Sequence, residues 1–192
     1  AFAVTLSCSS GPPETPSLKA GLGEKVISPA EDVQMRGFAR SQVSTGVHDD
    51  LYARCLLVEG ADGTVAAMLT VGLCGMTEEY AERIRGSVTG QTGIPGENVV
   101  ISCTHTHSGP NVGSSMDTFN KEHVDSTMAS VEYRQFLVAQ CAASVVQAWE
   151  NRRPARIGVG STEVFNLGMN RRRLLYGGLH PDPEVGIIKV ED

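Results

Sequence analysis

No apolar run in the 192-residue chain approaches the length of about 20 residues that a helix needs to cross a bilayer. Basic charge is also scarce: 16 Lys and Arg stand against 22 Asp and Glu, for a net charge of −6. That balance argues against a nucleic-acid-binding surface. The five cysteines are an odd number with no CxxC spacing, which leaves no evident disulfide framework and no zinc-finger pattern. Four of them, Cys55, Cys74, Cys103 and Cys141, sit in apolar segments and read as small buried hydrophobes. Internal repeats and low-complexity blocks are missing too. What remains is 41% hydrophobic and 20% charged, an ordinary globular composition. The length suits one domain with a real core, or part of a larger one.

The periodicities describe an α/β chain, with a mixed β-sheet packed by helices. Ala20 to Ile27 reads as an edge strand that stops at Ser28-Pro29. Met35 to Gly46 is polar and glycine-rich, and reads as loop. Tyr52 to Glu59 and Thr64 to Val71 are apolar runs joined by Gly60-Ala61-Asp62-Gly63, a hairpin signal. Thr77 is placed to N-cap a helix with Glu78 and Glu79 in its first turn, where acidic side chains favour the dipole. Tyr80, Ile84 and Val88 give that helix one apolar stripe, and Gly93-Ile94-Pro95-Gly96 stops it. A stronger helix runs from about Val131 to Asn151, with Ser130 as its N-cap and Tyr133, Leu137, Cys141, Val145 and Trp149 at a spacing of four. Ala155 to Gly160 and Val185 to Val190 read as strands with an irregular segment between them.

Between the two helices, Asn98 to Cys103 reads as a short buried strand and completes a βαβ unit that ends at a His-Thr-His motif. The run is Thr104-His105-Thr106-His107-Ser108-Gly109-Pro110. The carboxyl end of a returning strand is where α/β sheets place ligands. Two histidines at i and i+2 in extended backbone point to the same side, and imidazole is the commonest protein ligand for a transition metal. A bare HxH is more often a hydrogen-bonded loop pair, but the strand-end position favours a metal-binding or catalytic pair. His48, beside Asp49 and Asp50, suits a structural hydrogen bond better than a metal. His123 falls in a polar stretch, His180 precedes Pro181 in a turn, and Glu78 with Glu79 is helix-start chemistry.

These residues, taken together, resemble the N-terminal part of the neutral (non-lysosomal) ceramidases and their bacterial relatives. Asn98-Val99-Val100-Ile101-Ser102 followed by the T-H-T-H-S-G-P run carries the likeness first. Gly46-Val47-His48-Asp49-Asp50-Leu51-Tyr52-Ala53-Arg54 is similar to the family's G-I-H-D-x-L-Y-A-R stretch. Val26-Ile27-Ser28-Pro29 and Met35-Arg36-Gly37-Phe38-Ala39 resemble its I-T-P and M-x-G-Y-A segments. Thr92-Gly93-Ile94-Pro95-Gly96-Glu97-Asn98-Val99 is similar to its T-G-I-P-x-E-N-V, Asn170-Arg171 to its N-R pair, and Asp182-Pro183-Glu184-Val185 fits the strand that follows. Each segment is weak alone; their shared order is specific. Three departures stand out. Gly72 lies where the family usually carries an aspartate, Asn111-Val112-Gly113 follows S-G-P in place of a glycine pair, and Arg172-Arg173 follows N-R in place of Ser-Pro.

The resemblance implies zinc-dependent hydrolysis of an N-acyl amide, in the best-known members ceramide, to fatty acid and sphingosine. By motif, His105 aligns with the family's first zinc ligand, His107 with the histidine that contacts the reacting carbonyl, and Arg171 with an arginine lining the pocket. The family's other donors (a second histidine, a glutamate and a tyrosine) and its active-site serine fall beyond Asp192. Residues 20–192 are accordingly expected to be the N-terminal portion of a ceramidase-like catalytic domain, incomplete as it stands. The implied partners are a lipid-amide or other N-acyl substrate and the remainder of that domain, with no nucleic acid and no transmembrane segment. Residues 1–19 read as a signal remnant or linker, because Ala1 to Ser10 has the look of an h-region end before a Gly/Pro/Ser stretch. Export to a secreted, periplasmic or cell-surface location follows, with lipidation at Cys8 the lesser alternative. The rival readings are another HxH metal-dependent hydrolase, and a family-derived surface module without catalysis.

Overall fold

The computed structural model describes residues 18–37, 42–113, 128–165, 168 and 181–191. The chain divides into two compact units, Ala1–Pro154 and Ala155–Asp192. In the first, β1 (Leu18–Val26), β4 (Tyr52–Glu59), β5 (Val65–Val71) and β6 (Val99–Cys103) form a sheet in the order β6-β5-β4-β1. β1, β4 and β5 pair antiparallel, while β5 and β6 pair parallel from Ala67↔Val99 to Val71↔Cys103. The sheet is therefore mixed, as the alternating patterns predict.

Local chemistry explains each element. The β4–β5 hairpin turns at Gly63, whose φ is 81°, and the Asp62 carboxylate accepts from the Thr64 amide at 2.9 Å and its hydroxyl at 3.0 Å. Along β5, Val65, Ala67, Leu69 and Val71 are buried and Ala66 and Thr70 exposed, the alternation of a sheet covered on one face. Helix α1 (Glu78–Thr92) is the β5-to-β6 crossover and buries Tyr80, Ile84 and Val88. It ends at Gly93, left-handed at φ 75°, whose amide donates to the Thr89 carbonyl. Thr77 stands at its N-cap position but makes no side-chain cap bond. Its methyl instead lies against Gly113, and its buried hydroxyl has no hydrogen-bond partner among the described residues.

Helix α2 (Val131–Glu150) buries Tyr133, Leu137, Cys141 and Val145, and Ser130 caps it by accepting from the Tyr133 amide at 3.1 Å. The helix lies directly on β1. A Cβ at Gly21 would meet the Ala148 carbonyl oxygen at 1.9 Å, and one at Gly23 the Ser144 carbonyl oxygen at 1.9 Å. That closeness lets α2 side chains reach the strand's backbone. Gln140 Nε2 donates to the Val26 carbonyl at 3.0 Å, the Glu24 amide to Gln147 Oε1 at 3.2 Å, and the Tyr133 hydroxyl to the Ile27 carbonyl at 2.8 Å. Burial pushes the Tyr133 phenol well above its ordinary range. Just past α2, Arg152 stacks on the Trp149 ring at 3.4 Å from its centroid and pairs with Glu59, which also accepts from Lys19 Nζ at 2.8 Å.

The expected loop from Met35 to Gly46 contains structure. β2 (Gln34–Arg36) pairs antiparallel with β3 (Gln42–Val43) on one side and β7 (Gly109–Pro110) on the other. These strands are too short and too polar to show a period, so only pairing across distant sequence reveals them. The second unit holds an antiparallel pair. β8 (Arg153–Glu163) and β9 (Glu184–Glu191) are in register from Arg156↔Glu191 to Glu163↔Glu184, each longer than its apolar run alone suggested.

Three substitutions test this architecture. Gly23→Ala drives a methyl into helix backbone and should lower stability by at least the 1–3 kcal/mol typical of overpacking. By contrast, Gly86→Ala, exposed in α1 with open space at its Cβ, should raise stability by about 0.5–1 kcal/mol in urea unfolding. Hydrogen bonds from Lys19 and Arg152 hold the Glu59 carboxyl below its ordinary range. A depressed native pKa stabilises the fold above the unfolded value and loses that contribution as pH falls through the native one. Acid titration should thus destabilise the wild type below about pH 4.3, the ordinary glutamate value, more than Glu59→Gln.

Candidate metal centre

The site grows out of the carboxyl end of the β5–β6 ladder. β6 stops at Cys103, yet the chain beyond it stays bonded to the segment after β5: the Thr104 amide donates to the Val71 carbonyl and the His105 amide to the Leu73 carbonyl, both at 3.0 Å. His105 has φ 60°, the one non-glycine in the left-handed region among the described residues. The extended backbone expected from Thr104 to His107 is therefore not what places the two histidines. A turn does: the ladder captures the backbone amide of His105 and forces the left-handed conformation, which costs a residue with a Cβ roughly 1–2 kcal/mol. The rings nonetheless meet edge-on, with centroids 5.0 Å apart and planes at 70°.

A further bond orients the first ring. His105 Nδ1 lies 2.8 Å from the Cys74 carbonyl oxygen. A carbonyl only accepts, so Nδ1 carries the proton and Nε2 presents its lone pair. This is the second bond by which metal-binding histidines are commonly oriented. Cys74 Sγ lies 3.6 Å from the same nitrogen. One donor atom from each of Cys74, His105 and His107 falls within 4.8 Å of the others. Imidazole suits zinc as a donor, so His105, with Nε2 free of the Cys74 bond, fits one position of a zinc centre.

His107 is set by packing. Gly37 follows β2 at φ 115°, and a Cβ there would lie 2.2 Å from His107 Cγ. The β2–β7 pairing brings them together, with Met35↔Pro110 and Arg36↔Gly109 in register. The glycine of the Met35-Arg36-Gly37 segment thus has a steric reason: it leaves room for an imidazole. Beyond β7, the Asn111 side chain accepts from Arg36 Nη1 at 3.2 Å and from the Gly113 amide at 3.0 Å. Beside this strand opens a cavity of about 350 Å³, lined by Ser108, Gly109, Pro110, Met35, Asp32 and His48 among others.

The cysteines divide into two groups. Cys55 and Cys141 are core residues, and burial pushes both thiols up to about 12. Cys103 is half-buried, and burial together with the neighbouring Cys74 raises it to about 11. Cys74 departs from the buried-hydrophobe expectation, because its thiol belongs to the histidine cluster. Its spacing from His105 in sequence, 31 residues, carries no motif, so sequence reasoning missed it. His48 pairs with Asp49 at 2.8 Å in the open and stays outside the cluster, as expected. Arg171, Arg172, Arg173, His123 and His180 lie outside the described residues.

Gly37→Ala should displace the His107 ring. The expected result is a loss of about 1–3 kcal/mol, from overpacking and a left-handed alanine, with shifted His107 ring resonances in NMR. Gly46→Ala, at φ 146° with nothing within 4 Å of its Cβ, should strain the backbone alone and leave those resonances unmoved.

The sequence pattern described as "Neutral/alkaline non-lysosomal ceramidase, N-terminal" matches residues 19–183. The chain is 33% identical over 169 residues to neutral ceramidase 3 of Arabidopsis thaliana, covering 81% of this chain and 21% of that protein. It is 28% identical over 168 residues to neutral ceramidase 1 of the same plant, covering 81% and 20%. The chain thus spans about one fifth of the length of these relatives. Among solved structures, a neutral ceramidase from Pseudomonas aeruginosa superposes with a TM-score of 0.79 at 26% identity, covering 93% of this chain and 30% of that one. A ceramidase complexed with C2 gives the same TM-score at 25% identity, with 93% and 29% covered. Sequence pattern, relatives and superposed structures agree: the chain belongs to the neutral/alkaline non-lysosomal ceramidase family and matches its N-terminal part.

Proposed function

We propose that this chain is the N-terminal portion, residues 20–192, of a zinc-dependent amide hydrolase that cleaves the N-acyl bond of ceramide or a related lipid amide. The observation that carries this reading is the gathering of Cys74, His105 and His107 at one strand end, in a chain whose family pattern spans residues 19–183. A bound zinc ion would supply Lewis-acid polarisation of the amide carbonyl and lower the pKa of a bound water to roughly 7.

The chain's own residues have separate tasks. His105, its Nδ1 proton held by the Cys74 carbonyl, offers Nε2 to the metal. His107, seated against Gly37, donates a hydrogen bond to the carbonyl oxygen as negative charge grows on it. Arg171, by its match to the family's N-R pair, would add a fixed positive charge, since guanidinium does not deprotonate. Gly109 and Pro110, in β7, hold the loop after His107 against β2, which keeps that donor from drifting. The remainder of the catalytic domain supplies the other metal donors and the acyl-chain pocket. Export suits the apolar start Ala1 to Leu6 and the Gly/Pro/Ser stretch that follows, both outside the described residues, as signal remnant or linker; of the expected span 1–19, Leu18 and Lys19 instead open β1. No helix among the described residues is long and apolar enough to cross a membrane.

The test uses a protein that carries this chain together with the rest of its catalytic domain. His107→Ala should lower N-acyl amide hydrolysis by on the order of 10²-fold or more while zinc content, read by elemental analysis, stays near wild type. His105→Ala should lose both zinc and turnover. Undiminished hydrolysis in either variant refutes the assigned role.

A further inference from the structure

Resting on the hydrolase reading, we propose that Asn111 is a positioning residue: with Arg36 it fixes the register of β7 on β2, and through that register the seat of His107. β7 is poorly equipped to hold its own place. Its pairing with β2 covers only Met35↔Pro110 and Arg36↔Gly109, whereas strands usually run roughly 3–10 residues. Glycine brings no side chain to such a pair, and proline brings no amide donor. The register nonetheless decides the site. Gly37 comes directly after Arg36, and a Cβ there would lie 2.2 Å from His107 Cγ. A slip of one residue would shift the strands by about 3.3 Å and set a residue with a side chain where Gly37 leaves room.

Asn111 supplies what the two residues of β7 lack. Only 4% of it is exposed. Its amide donates to the Gln34 carbonyl at 2.8 Å, which carries the pairing with β2 one residue past Pro110. Its carbonyl accepts from the Ala129 amide, also at 2.8 Å, just before the Ser130 cap of α2. Its side-chain Oδ1 accepts twice more, from Arg36 Nη1 at 3.2 Å and from the Gly113 amide at 3.0 Å. Guanidinium and backbone amide only donate, so the oxygen of the side chain has to face them. The bond from Arg36 is charge-assisted, the stronger kind. Gln34 and Arg36, at the two ends of β2, are thus bonded to one buried residue. That residue stands where the sequence departs from the glycine pair usual after S-G-P, so the departure itself carries the brace. Its effect on the reaction passes through His107: a donor misplaced by about 1 Å can lower a rate on the order of 10²-fold.

The test uses a protein that carries this chain together with the rest of its catalytic domain. Asn111→Leu keeps the size of the side chain and removes Oδ1, and Arg36→Met keeps a long stem and removes the guanidinium. Each single variant and the double variant are made with His107 intact and in a His107→Ala background, and kcat, KM and zinc content are measured. With His107 intact, either single change should lower kcat by roughly 10–100-fold. KM and zinc should stay near wild type, because the weakened contact is one made in the transition state. The double variant should be little worse than the more damaging single, as for two partners in one contact. In the His107→Ala background neither change should lower kcat further, whereas a general loosening of the fold would. Asn111→Asp, which still accepts both bonds, should recover most of the rate.

Wild-type kcat in either single variant overturns the proposal, as does an equal loss with and without His107, or a loss of zinc along with the rate. Additive losses in the double variant, or an Asn111→Asp enzyme no faster than Asn111→Leu, overturn the bond between Arg36 and Oδ1 as the cause. Should Asn111→Leu fail to fold, Arg36→Met in the two backgrounds decides. Each of these results leaves the hydrolase reading standing. Undiminished hydrolysis by His107→Ala alone removes the role of His107 and this inference together, and is read from that variant independently of Asn111.

Discussion

The parallel pairing of β5 with β6 outlasts the strands themselves, and the site depends on that extension. After Cys103 the amides of Thr104 and His105 still find carbonyls on the segment leaving β5, at Val71 and Leu73. Satisfying those donors draws His105 into a left-handed turn, an uncommon state for a residue with a Cβ. The same capture carries its ring to the Cys74 carbonyl. The conformational cost is offset by two hydrogen bonds, one from the backbone amide and one from the ring. Each is worth about 0.5–1.5 kcal/mol net.

A rigid support stands behind this rim. α1 and α2 cover one face of the sheet, with Ile84, Val88, Leu137, Cys141 and Val145 fully or nearly fully buried over Leu57, Leu69 and Val71. The glycines of β1 let α2 descend until its side chains bond the strand backbone. The small sheet of β2, β3 and β7 then fixes the other side of the histidine loop, with Gly37 leaving room for the second ring. Hydrogen bonds from its amide and ring hold His105, and Gly37 leaves the space that the His107 ring fills.

Much of this was legible before any coordinates. The Gly60–Gly63 turn, the stripe Tyr80-Ile84-Val88 and the Ser130 cap are local signals, and all three stand in the structure. The βαβ unit ending at the histidines is equally readable, because it needs only a strand, a helix, a glycine stop and a strand. Local signals failed where a distant partner decided the outcome. Thr77 has a good capping residue's chemistry, but its methyl lies beside Gly113 and no cap bond forms. The polar stretch around Met35 becomes a strand because Gly109 and Pro110 arrive beside it. Alternation places His105 and His107 on one side of an extended chain; a turn brings them together instead.

The amino-acid order by itself determined the α/β class, the helices and the hairpin, and the segments that identify the family, because these rest on period, capping and turn chemistry within a few residues. It also named the two imidazoles. Only the tertiary structure decided that Cys74 stands with them, that Gly37 is the seat of His107, and that His105 turns left-handed. Those outcomes come from hydrogen bonds and close contacts between residues tens of positions apart, and such pairings leave no mark on local periodicity.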